Sequence, residues 1–550
     1  MKKVIYNPIN RVYLIVLLLF LPASIVWADT NYYFYVQFAN KNNSPYSLNN
    51  PSAFLSQRAI TRRTAFGINC DTTDLPINPY YLQQIENLGI RVHSRSKWMN
   101  GATVILPDTA KMSLVRALPF VRFVEYTGKL DGAPLVSVEK VKGQTNLDYG
   151  IAASQINQLS GRYLHDWGFK GKGIQIGVID AGFMNVDVNP CFDSLRQQGR
   201  LLGTKDIINP SSNIYAEDAH GAMVLSTMTG NLPGQYLGTA PEASFWLIRT
   251  EYVPTEYKVE TDFWCSGIEF ADSVGVDMIN SSLGYYTFDD LTMGFTYADM
   301  NGKVSRASRA ANMASKKGII VVVAAGNEGN QTWRYIGSPA DAEGIISVGA
   351  VLADSTSSLF SSFGPSSDNR IKPELCAVGS SSAIVSTSGV PTYGNGTSFA
   401  TPIMTGMMAC YLQAYKYLKS ILSVQAILNS VFESGNLYLS PTFQKGYGIP
   451  NFEFATRKLG FLAGTNSILS DDEYNMAYDT QNKSIHIWTF NRQNPTIETV
   501  RLYAITGKLI MEKRMNETIT ALDVSKLPVG IYAICISGND KTMTKKIMIR

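Results

Sequence analysis

The chain has 550 residues, and its 48 lysines and arginines nearly balance its 44 aspartates and glutamates, which leaves a net charge of +4 at pH 7. This balance argues against a protein that binds nucleic acid through a broad basic surface. Hydrophobic residues make up 45% of the chain, enough for large cores, which excludes a disordered or fibrous protein. At roughly 150 residues per domain, the length predicts three to four domains.

The cysteines and histidines narrow the kinds of site that the chain can hold. The six cysteines never occur as a CxxC pair, which excludes a disulfide-organised scaffold and a zinc-finger array, although one or two isolated bridges remain open. The chain has only four histidines, so each can be considered individually as a catalytic candidate: His93, His165, His220 and His486.

The first 28 residues have the features of an export signal. A basic stretch that ends at Arg11 precedes the short apolar run 12–21, and Ala28 offers a cleavage site. The run is shorter than the ~20 residues that span a bilayer, and Pro22 interrupts it, so a membrane anchor fits less well. We therefore expect residues 1–28 to be a Sec signal peptide and the mature chain to have no transmembrane helix.

Residues 29–145 alternate strand-like and helix-like runs and contain no cluster of catalytic residue types. The pattern predicts strands at 32–38, 91–93 and 120–126 and helices at 52–64, 79–88 and 111–117. Such an alternation is typical of a small α+β unit.

Residues 146–460 have the pattern of an α/β layer fold. Nearly continuous apolar runs predict strands at 174–179, 244–248, 276–279, 318–325 and 344–348, and helical stretches at 264–274 and 305–317 lie between them. Strands that are apolar throughout are buried on both faces, which indicates a parallel sheet covered by helices.

The last part of the chain is predicted to be all-β. A short polar stretch at 461–475 predicts a linker. Residues 476–550 then contain predicted strands at 484–488, 499–505, 508–511, 531–537 and 543–549. This spacing predicts a small β-sandwich.

Asp180 is the first candidate for chemistry, because it directly follows the apolar run 174–179 and is followed by a glycine two residues later. Sites in open α/β sheets lie at the carboxyl ends of the strands. A buried acid there can orient a histidine and stabilise its imidazolium. An aspartate at a strand end also commonly caps a helix, so this motif alone decides little.

His220 is the second candidate, in the string DAHGAMVLSTMTG at 218–230, where it opens a predicted helix of small and apolar residues. A single histidine is usually structural. The scarcity of histidines and the small residues that follow this one favour a functional role.

Ser398 is the third candidate, in the string GNGTSFATP at 394–402. It precedes a predicted helix at 399–415 that has Pro402 in its first turn. The helix dipole and the unpaired N–H groups there favour an oxyanion that develops near Ser398 Oγ. The alternative role is a plain helix N-cap.

Asn327 follows the apolar run 321–325 and is placed to direct its side-chain amide at the same oxyanion, with the Ser398 backbone N–H as the second donor. The alternative is a turn asparagine.

Together these strings resemble the subtilisin-like (subtilase) serine proteases: GVIDAGF, HGAMV, AAGNEG and GTSFATP. The chain order Asp180, His220, Ser398 is also that of this family. The resemblance covers about 150–460 and implies a three-layer parallel-sheet fold. It implies that Asp180 orients His220, that His220 acts as general base and then general acid, that Ser398 is the nucleophile of an acyl-enzyme mechanism, and that Asn327 lines the oxyanion hole.

The same resemblance implies a substrate-binding segment. The string INSSLG at 279–284 is similar to the family's extended segment that pairs with the substrate backbone, and we assign substrate binding to Ser281, Ser282, Leu283 and Gly284. The family often has an aspartate where Glu374 stands, which leaves the role of Glu374 open.

No cofactor or catalytic metal is expected, although structural calcium is possible by the same resemblance. The stretch Asp299-Met300-Asn301-Gly302 resembles part of a calcium loop. One short string cannot supply the 6–8 oxygen ligands that Ca²⁺ takes, so a β-turn is the simpler interpretation.

The flanking sections fit a secreted protease. Residues 29–145 resemble the propeptide-like region of secreted Bacteroidetes subtilases, on the strings NSPYSL at 43–48 and FLSQRA at 54–59. A tethered propeptide can template folding and plug the cleft. We therefore expect a zymogen that is activated by a cut between about Gly128 and Tyr149. A permanent substrate-binding module is the alternative.

Residues 476–550 resemble the C-terminal sorting domain of the type IX secretion system. The resemblance rests on VRLYAITGKL at 500–509, LDVSKLPVGIY at 522–532 and TKKI at 544–547. It implies Sec export, passage through the outer membrane, and a secreted or surface-held product. The alternative is a β-sandwich that binds carbohydrate or protein.

The sequence thus predicts an exported serine endopeptidase. Its expected partners are polypeptide substrates, its own propeptide and the type IX machinery, but not nucleic acid. A catalytically silent surface-binding protein, an esterase and an exopeptidase are the alternatives. The intact set of four site residues argues against the first, and Ser398 lies in GTSFA rather than the GxSxG common in esterases. The stretch 250–263 is longer than a minimal connection, and we expect it to shape the cleft.

Overall fold

The computed structural model of the protein describes residues 31–130, 149–418, 423–456, 474–479, 483–489, 498–515, 519–537 and 542–549. The predicted signal peptide, most of the predicted linker and most of the predicted activation segment lie outside the described residues. Within the described residues no helix is long and apolar enough to cross a membrane.

The N-terminal unit, residues 31–130, is built on a four-stranded antiparallel sheet with the order β2-β3-β1-β4. Its elements are β1 (Asn31–Phe38), α1 (Gln57–Ala65), α2 (Pro79–Asn87), β2 (Arg91–Ser96), β3 (Gly101–Leu106), α3 (Met112–Arg116) and β4 (Val121–Leu130). The predicted helix 52–64 begins later than expected, because Ser56 Oγ accepts from the backbone N–H of Ala59 and caps α1 there. The fully buried strand β3 was not predicted.

The α/β unit, residues 149–456, holds a parallel seven-stranded sheet with the order β13-β12-β11-β10-β5-β9-β6. Its first elements are α4 (Ala153–Gln158), α5 (Gly161–Asp166), β5 (Gln175–Asp180), α6 (Asp193–Gln197), β6 (Leu201–Asp206), α7 (His220–Thr229), β7 (Asn231–Leu232), β8 (Tyr236–Leu237), β9 (Ser244–Arg249), α8 (Val259–Val274) and β10 (Met278–Ser281). The remaining elements are α9 (Arg306–Lys316), β11 (Ile320–Ala324), β12 (Ile346–Val351), β13 (Leu375–Val378), β14 (Ser382–Val385), β15 (Pro391–Gly394), α10 (Thr397–Leu418), α11 (Val424–Phe432) and α12 (Phe452–Thr456).

The sheet is buried on both faces, as its apolar strands predict. Successive residues of a strand point to opposite faces. Val178 of β5 therefore packs in the core beneath α7 and α10, whereas Ile179 packs in the core beneath α8 and α9. This architecture confirms the predicted three-layer parallel fold. The strands β6 and β13 were not predicted, because β6 is largely polar and β13 has four residues.

The start of α10 differs from the prediction. The helix begins at Thr397, so Ser398 lies in its first turn and Pro402 lies inside the helix. Proline has no N–H for the carbonyl four residues back, which is that of Ser398. Ser282 Oγ donates to this carbonyl instead, at 2.8 Å. A side chain from a distant strand therefore replaces the missing helix hydrogen bond.

The C-terminal strands form two antiparallel sheets, β16-β17-β20 and β19-β18-β21-β22, that share one core. The strands are β16 (Tyr474–Asp479), β17 (Ser484–Thr489), β18 (Glu498–Ala504), β19 (Leu509–Met515), β20 (Ile519–Asp523), β21 (Gly530–Ser537) and β22 (Thr542–Ile549). This confirms the predicted small β-sandwich, although β16 and β20 were not predicted. All six cysteines are free thiols, so the isolated bridges that the sequence left open do not form.

The N-terminal unit packs on the α8 and α9 face of the α/β unit. Ion pairs with buried or partly buried side chains connect the two units. Lys317 Nζ lies 2.8 Å from Asp74 Oδ2, and Arg306 Nη1 lies 2.6 Å from Glu125 Oε2. The contact between the units is therefore charged as well as apolar.

Candidate active site

Asp180 and His220 are brought together by the end of one strand and the start of one helix. Asp180 is the last residue of β5 and is fully buried, and His220 is the first residue of α7. Nδ1 of His220 lies 2.7 Å from Oδ1 of Asp180. The backbone N–H of Ala181 also donates to Oδ1, at 2.8 Å, which fixes the carboxylate. The arrangement orients the imidazole by its Nδ1 edge.

The surroundings of His220 favour its protonated form. Burial opposes the positive charge, but the negative charge of Asp180 and the hydrogen bond to it outweigh burial and raise the pKa of His220 above its ordinary value. The charges of Asp218 and Glu251 act in the same direction. The His220 side chain is 29% exposed, so one edge stays accessible. This histidine can accept a proton and hold it as an imidazolium.

Ser398 lies in the first turn of α10. The ring of Phe399, the next residue, has its centroid 6.1 Å from that of His220. The Ser398 hydroxyl donates to the carbonyl of Ser282 at 3.2 Å, while the Ser282 hydroxyl donates back to the Ser398 carbonyl. This reciprocal pair holds the first turn of α10 against the end of β10.

Asn327 is held by the residue that precedes Ser398. Its Oδ1 accepts from the backbone N–H of Thr397 at 2.9 Å and from Thr397 Oγ1 at 3.1 Å. Because the oxygen of the amide is engaged, Nδ2 is the atom left to act as a donor. A β-carbon on Gly396 would stand 3.8 Å from this Nδ2, and Gly396 also has a φ of +147°. The positive φ therefore favours glycine at 396, whereas a β-carbon there would make only an ordinary contact with the amide.

The predicted substrate-binding residues form the end of β10 and the turn after it. Ser281 is buried, and its hydroxyl accepts a hydrogen bond from Trp264 Nε1 at 2.9 Å, so its side chain points into the core. Leu283 is half-buried and Gly284 is exposed. Behind them Tyr285 exchanges two backbone hydrogen bonds with Ser338, at 2.7 and 2.9 Å. The backbone near Gly284 is thus the accessible part of this segment.

Two other sequence candidates have structural roles. Glu374 accepts from the backbone N–H and the hydroxyl of Ser347, at 2.7 and 2.6 Å, and pairs with Lys372 Nζ at 2.6 Å. Asp299 Oδ2 accepts from the backbone N–H and the hydroxyl of Thr296, at 2.8 and 2.7 Å. The stretch that resembles a calcium loop is thus a locally capped turn, which agrees with the simpler interpretation.

Sequence reasoning missed a group of three glutamates next to this site, two of them buried. Among the described residues, the carboxylates of Glu251, Glu256 and Glu260 approach one another within 4.8 Å, close enough to share a metal ion. Burial raises the pKa of Glu251 to about 7 and that of Glu256 to about 8. The signal was available, since all three lie within the stretch 250–263, of which Glu260 belongs to the first turn of α8, but their spacing matches no short motif.

Family models match three successive parts of the chain. The model described as the subtilase family matches residues 171–449. A model of the peptidase S8 propeptide domain of Bacteroidota matches residues 33–144. A model of the secretion system C-terminal sorting domain matches residues 481–550. The three matches confirm the resemblances that the motifs indicate.

Individual relatives agree with these models. Subtilisin NAT from Bacillus subtilis subsp. natto is 28% identical over 378 residues, which are 68% of this chain and 85% of the relative. A subtilisin from Bacillus pumilus is 29% identical over 307 residues, 55% of this chain and 98% of the relative. The solved structure of the epidermin leader peptide processing serine protease from Staphylococcus aureus has a TM-score of 0.52 at 17% identity, over 80% of this chain and 99% of the other. At that identity the likeness supports the fold alone.

Proposed function

The chain belongs to the subtilase family, and we propose that it cleaves peptide bonds with Ser398 as nucleophile, His220 as general base and Asp180 as the residue that orients His220. It is a serine endopeptidase that is made as a zymogen. The observation that supports the residue assignment is the 2.7 Å contact between His220 Nδ1 and Asp180 Oδ1. Ser398 lies in the first turn of α10 at the same edge of the sheet, where the carboxyl ends of parallel strands place reactive groups.

The reaction follows from these positions. His220 Nε2 takes the Ser398 proton as Oγ bonds to the substrate carbonyl carbon, and the carbonyl oxygen becomes an oxyanion. The Ser398 backbone N–H and Asn327 Nδ2 donate to this oxyanion. His220 then gives its proton to the leaving amine, which breaks the peptide bond and leaves an acyl-enzyme. Water attacks the acyl-enzyme by the same route in reverse and releases the acid product.

Substrate binding is assigned to Ser281, Ser282, Leu283 and Gly284. An extended peptide that pairs with the exposed backbone of this segment gains affinity from main-chain hydrogen bonds, with little demand on its sequence. Polypeptides are therefore the proposed substrates, and the enzyme is placed among the serine endopeptidases of class EC 3.4.21.-. The proposed chemistry uses no cofactor.

We assign five parts to the chain, with the boundaries that the sequence predicts. They are a signal peptide at 1–28, a propeptide at 29–145, a peptidase domain at 146–460, a linker at 461–475 and a sorting domain at 476–550. The sorting domain is of the type IX kind and indicates secretion to the cell surface or the extracellular space. Export through Sec stays a prediction, because the signal lies outside the described residues.

The experiment that tests this function compares the wild type with Ser398→Ala. Each protein is incubated, analysed by intact mass and assayed on casein. We expect the wild type to shed about 120 to 150 N-terminal residues, in accord with the propeptide match at 33–144, and to produce casein fragments with internal ends. The variant should stay full length and inert. Equal behaviour of the two proteins would favour the surface-binding alternative, and fragments with terminal ends only would favour an exopeptidase.

A further inference from the structure

A buried carboxylate beside the proposed catalytic pair has no part in the reaction described above. Glu251 is 7% exposed and lies two residues beyond the end of β9. Its Oε1 accepts from the hydroxyl of Tyr285 at 2.5 Å and from Thr250 Oγ1 at 3.0 Å. Two hydroxyl donors on one oxygen favour the ionised form of a carboxylate.

The partners of Glu251 belong to two different parts of the site. The backbone N–H of Thr250 donates to the carbonyl of Asp180 at 3.1 Å, which extends the parallel pairing of β5 with β9. Tyr285 directly follows the substrate-binding segment that ends at Gly284. Glu251 therefore connects the backbone that carries Asp180 to the segment on which the substrate is proposed to lie.

Charged and titratable groups face Glu251 from several elements. They are Asp180 of β5, Arg249 of β9, His220 of α7, Tyr285 of the substrate-binding turn, Glu256 of the connection, and Glu260 of α8. Burial is the main cause that raises the pKa of Glu251, and the hydrogen bonds from Tyr285 and Thr250 act against it. Near neutral pH the negative charge of Glu251 is therefore present only in part.

We propose that Glu251 is a positioning residue of the protease, which holds Tyr285 and the substrate-binding segment against the Asp180 strand and adds its charge to that of Asp180 in stabilising the His220 imidazolium. The proposal rests on the assignment of Asp180, His220 and Ser398 made above. The two contributions separate by substitution. A glutamine at 251 keeps an oxygen that accepts from Tyr285 but removes the charge, whereas a phenylalanine at 285 removes the hydrogen bond and keeps the carboxylate.

The charge is tested with Glu251→Gln in the full chain, with Glu256→Gln as the matched control. Glu256 belongs to the same acidic group, but the phenol of Tyr285 donates to Glu251. We expect Glu251→Gln to lower the acid-limb pKa of kcat/KM by about half a unit, a threefold change in proton affinity, with KM unchanged. The pH dependence of inactivation by phenylmethylsulfonyl fluoride should shift equally, because that reagent reports on His220 without a peptide. The control should follow the wild type.

The hydrogen bond is tested with Tyr285→Phe, and the neighbouring Tyr286→Phe is its matched control. Losing a hydrogen bond to a charged group should raise KM for a peptide substrate about tenfold, while the acid limb moves less than in Glu251→Gln, because the carboxylate is kept although its pKa rises. Tyr286 stacks on Trp333 with a centroid distance of 4.8 Å, and its loss of a hydroxyl should leave KM unchanged. A purely structural role would lower the melting temperature of both test variants without this split between KM and pH profile.

The outcomes are distinguishable from a failure of the proposed function. If Ser398→Ala is inert but Glu251→Gln keeps the wild-type acid limb and Tyr285→Phe keeps the wild-type KM, the inference about Glu251 is wrong and the catalytic assignment stands. If Ser398→Ala still digests casein, the catalytic assignment itself fails. If Glu251→Gln does not fold, the KM of Tyr285→Phe decides the positioning role.

Discussion

The guanidinium of Arg63 in the N-terminal unit lies 2.9 Å from Oδ2 of Asp272 in α8, and both side chains are almost fully buried. Arg62 Nη2 reaches the other oxygen of the same carboxylate at 2.5 Å. Burial alone would raise the pKa of Asp272, but the charges of Lys97, Arg62 and Arg63 lower it to about 2. One acid of the protease is thus paired with three cations of its propeptide, and the pairing holds the propeptide on α8, which contains none of the proposed catalytic residues.

Replacing Asp272 should weaken this association. Asp272→Ala removes the carboxylate that Arg62 and Arg63 share. Arg63 keeps its pair with Asp74, but Arg62 is left buried without the acid it pairs with, which costs about 3–5 kcal/mol, equivalent to more than a hundredfold in affinity. After processing, we expect the wild-type propeptide and protease to elute together from a sizing column and those of the variant to separate. Asp187→Ala, at an exposed aspartate of the same unit, is the control. Co-elution of all three would show that this ion-pair cluster contributes little.

Acid should also weaken the binding of the propeptide, because the pKa of Asp272 is lowered in the complex. A carboxylate whose pKa is lowered in the complex contributes stability that is present above its ordinary pKa, near 3.8, and is lost as the pH falls towards 2. We therefore expect the contribution of Asp272 to be constant from neutral pH to about pH 5. The measurement is the co-elution of propeptide and protease after processing, at a series of pH values, for the wild type and for Asp272→Ala. A difference between the two that disappears already at pH 6 would contradict this assignment.

The oxyanion role of Asn327 predicts a specific loss of rate. Asn327→Leu should lower kcat about 100- to 1,000-fold with little change in KM, the range that removal of one such donor has in a subtilisin. Thr397→Val removes only the hydroxyl that donates to Asn327 Oδ1 and leaves the backbone donor, so a smaller loss is expected. Steady-state kinetics on a peptide anilide distinguish the two. A loss confined to KM would place Asn327 in substrate binding.

Asp180, His220 and the parallel sheet were predictable because their signals are local. An apolar strand that ends in an acid and a helix that opens on a histidine are visible within ten residues of sequence. Glu251 and Tyr285 are 34 positions apart, and Arg63 and Asp272 are 209 positions apart. The periodicity of a sequence does not predict contacts between residues so far apart. They arise from the packing of separate elements.

The start of α10 shows why a local signal can also mislead. Proline is common in the first turn of a helix, and Pro402 therefore predicted a helix that starts near residue 399. The structure places the proline two residues deeper, and Ser282 supplies the hydrogen bond that Pro402 cannot. Ser398 consequently lies within the helix rather than before it.

The proposed pair of Asp180 and His220 predicts the acid limb of the pH profile. The pKa of His220 is raised above its ordinary 6.5, and only the neutral imidazole can accept the Ser398 proton, so kcat/KM should fall as the pH drops below a midpoint that lies above 6.5. Asp180→Asn removes the charge that holds the proton. It should move the midpoint to lower pH and lower kcat about 10⁴-fold. A midpoint that the substitution does not move would separate His220 from Asp180 in function.

Because the Ser282 hydroxyl takes the place of the N–H that Pro402 lacks, we expect Pro402→Ala to restore part of the stability that Ser282→Ala loses. Ser282→Ala leaves the buried Ser398 carbonyl without its donor and should lower the free energy of unfolding by about 1–3 kcal/mol. Pro402→Ala restores an N–H four residues after Ser398, so the double variant should be more stable than Ser282→Ala alone, because α10 can then form its own hydrogen bond. All proteins also carry Ser398→Ala, which prevents self-digestion. Denaturant unfolding of this parent, the two single variants and the double variant then gives a double-mutant cycle. Additive effects of the two substitutions would mean that the Ser282 hydroxyl does not replace the missing bond.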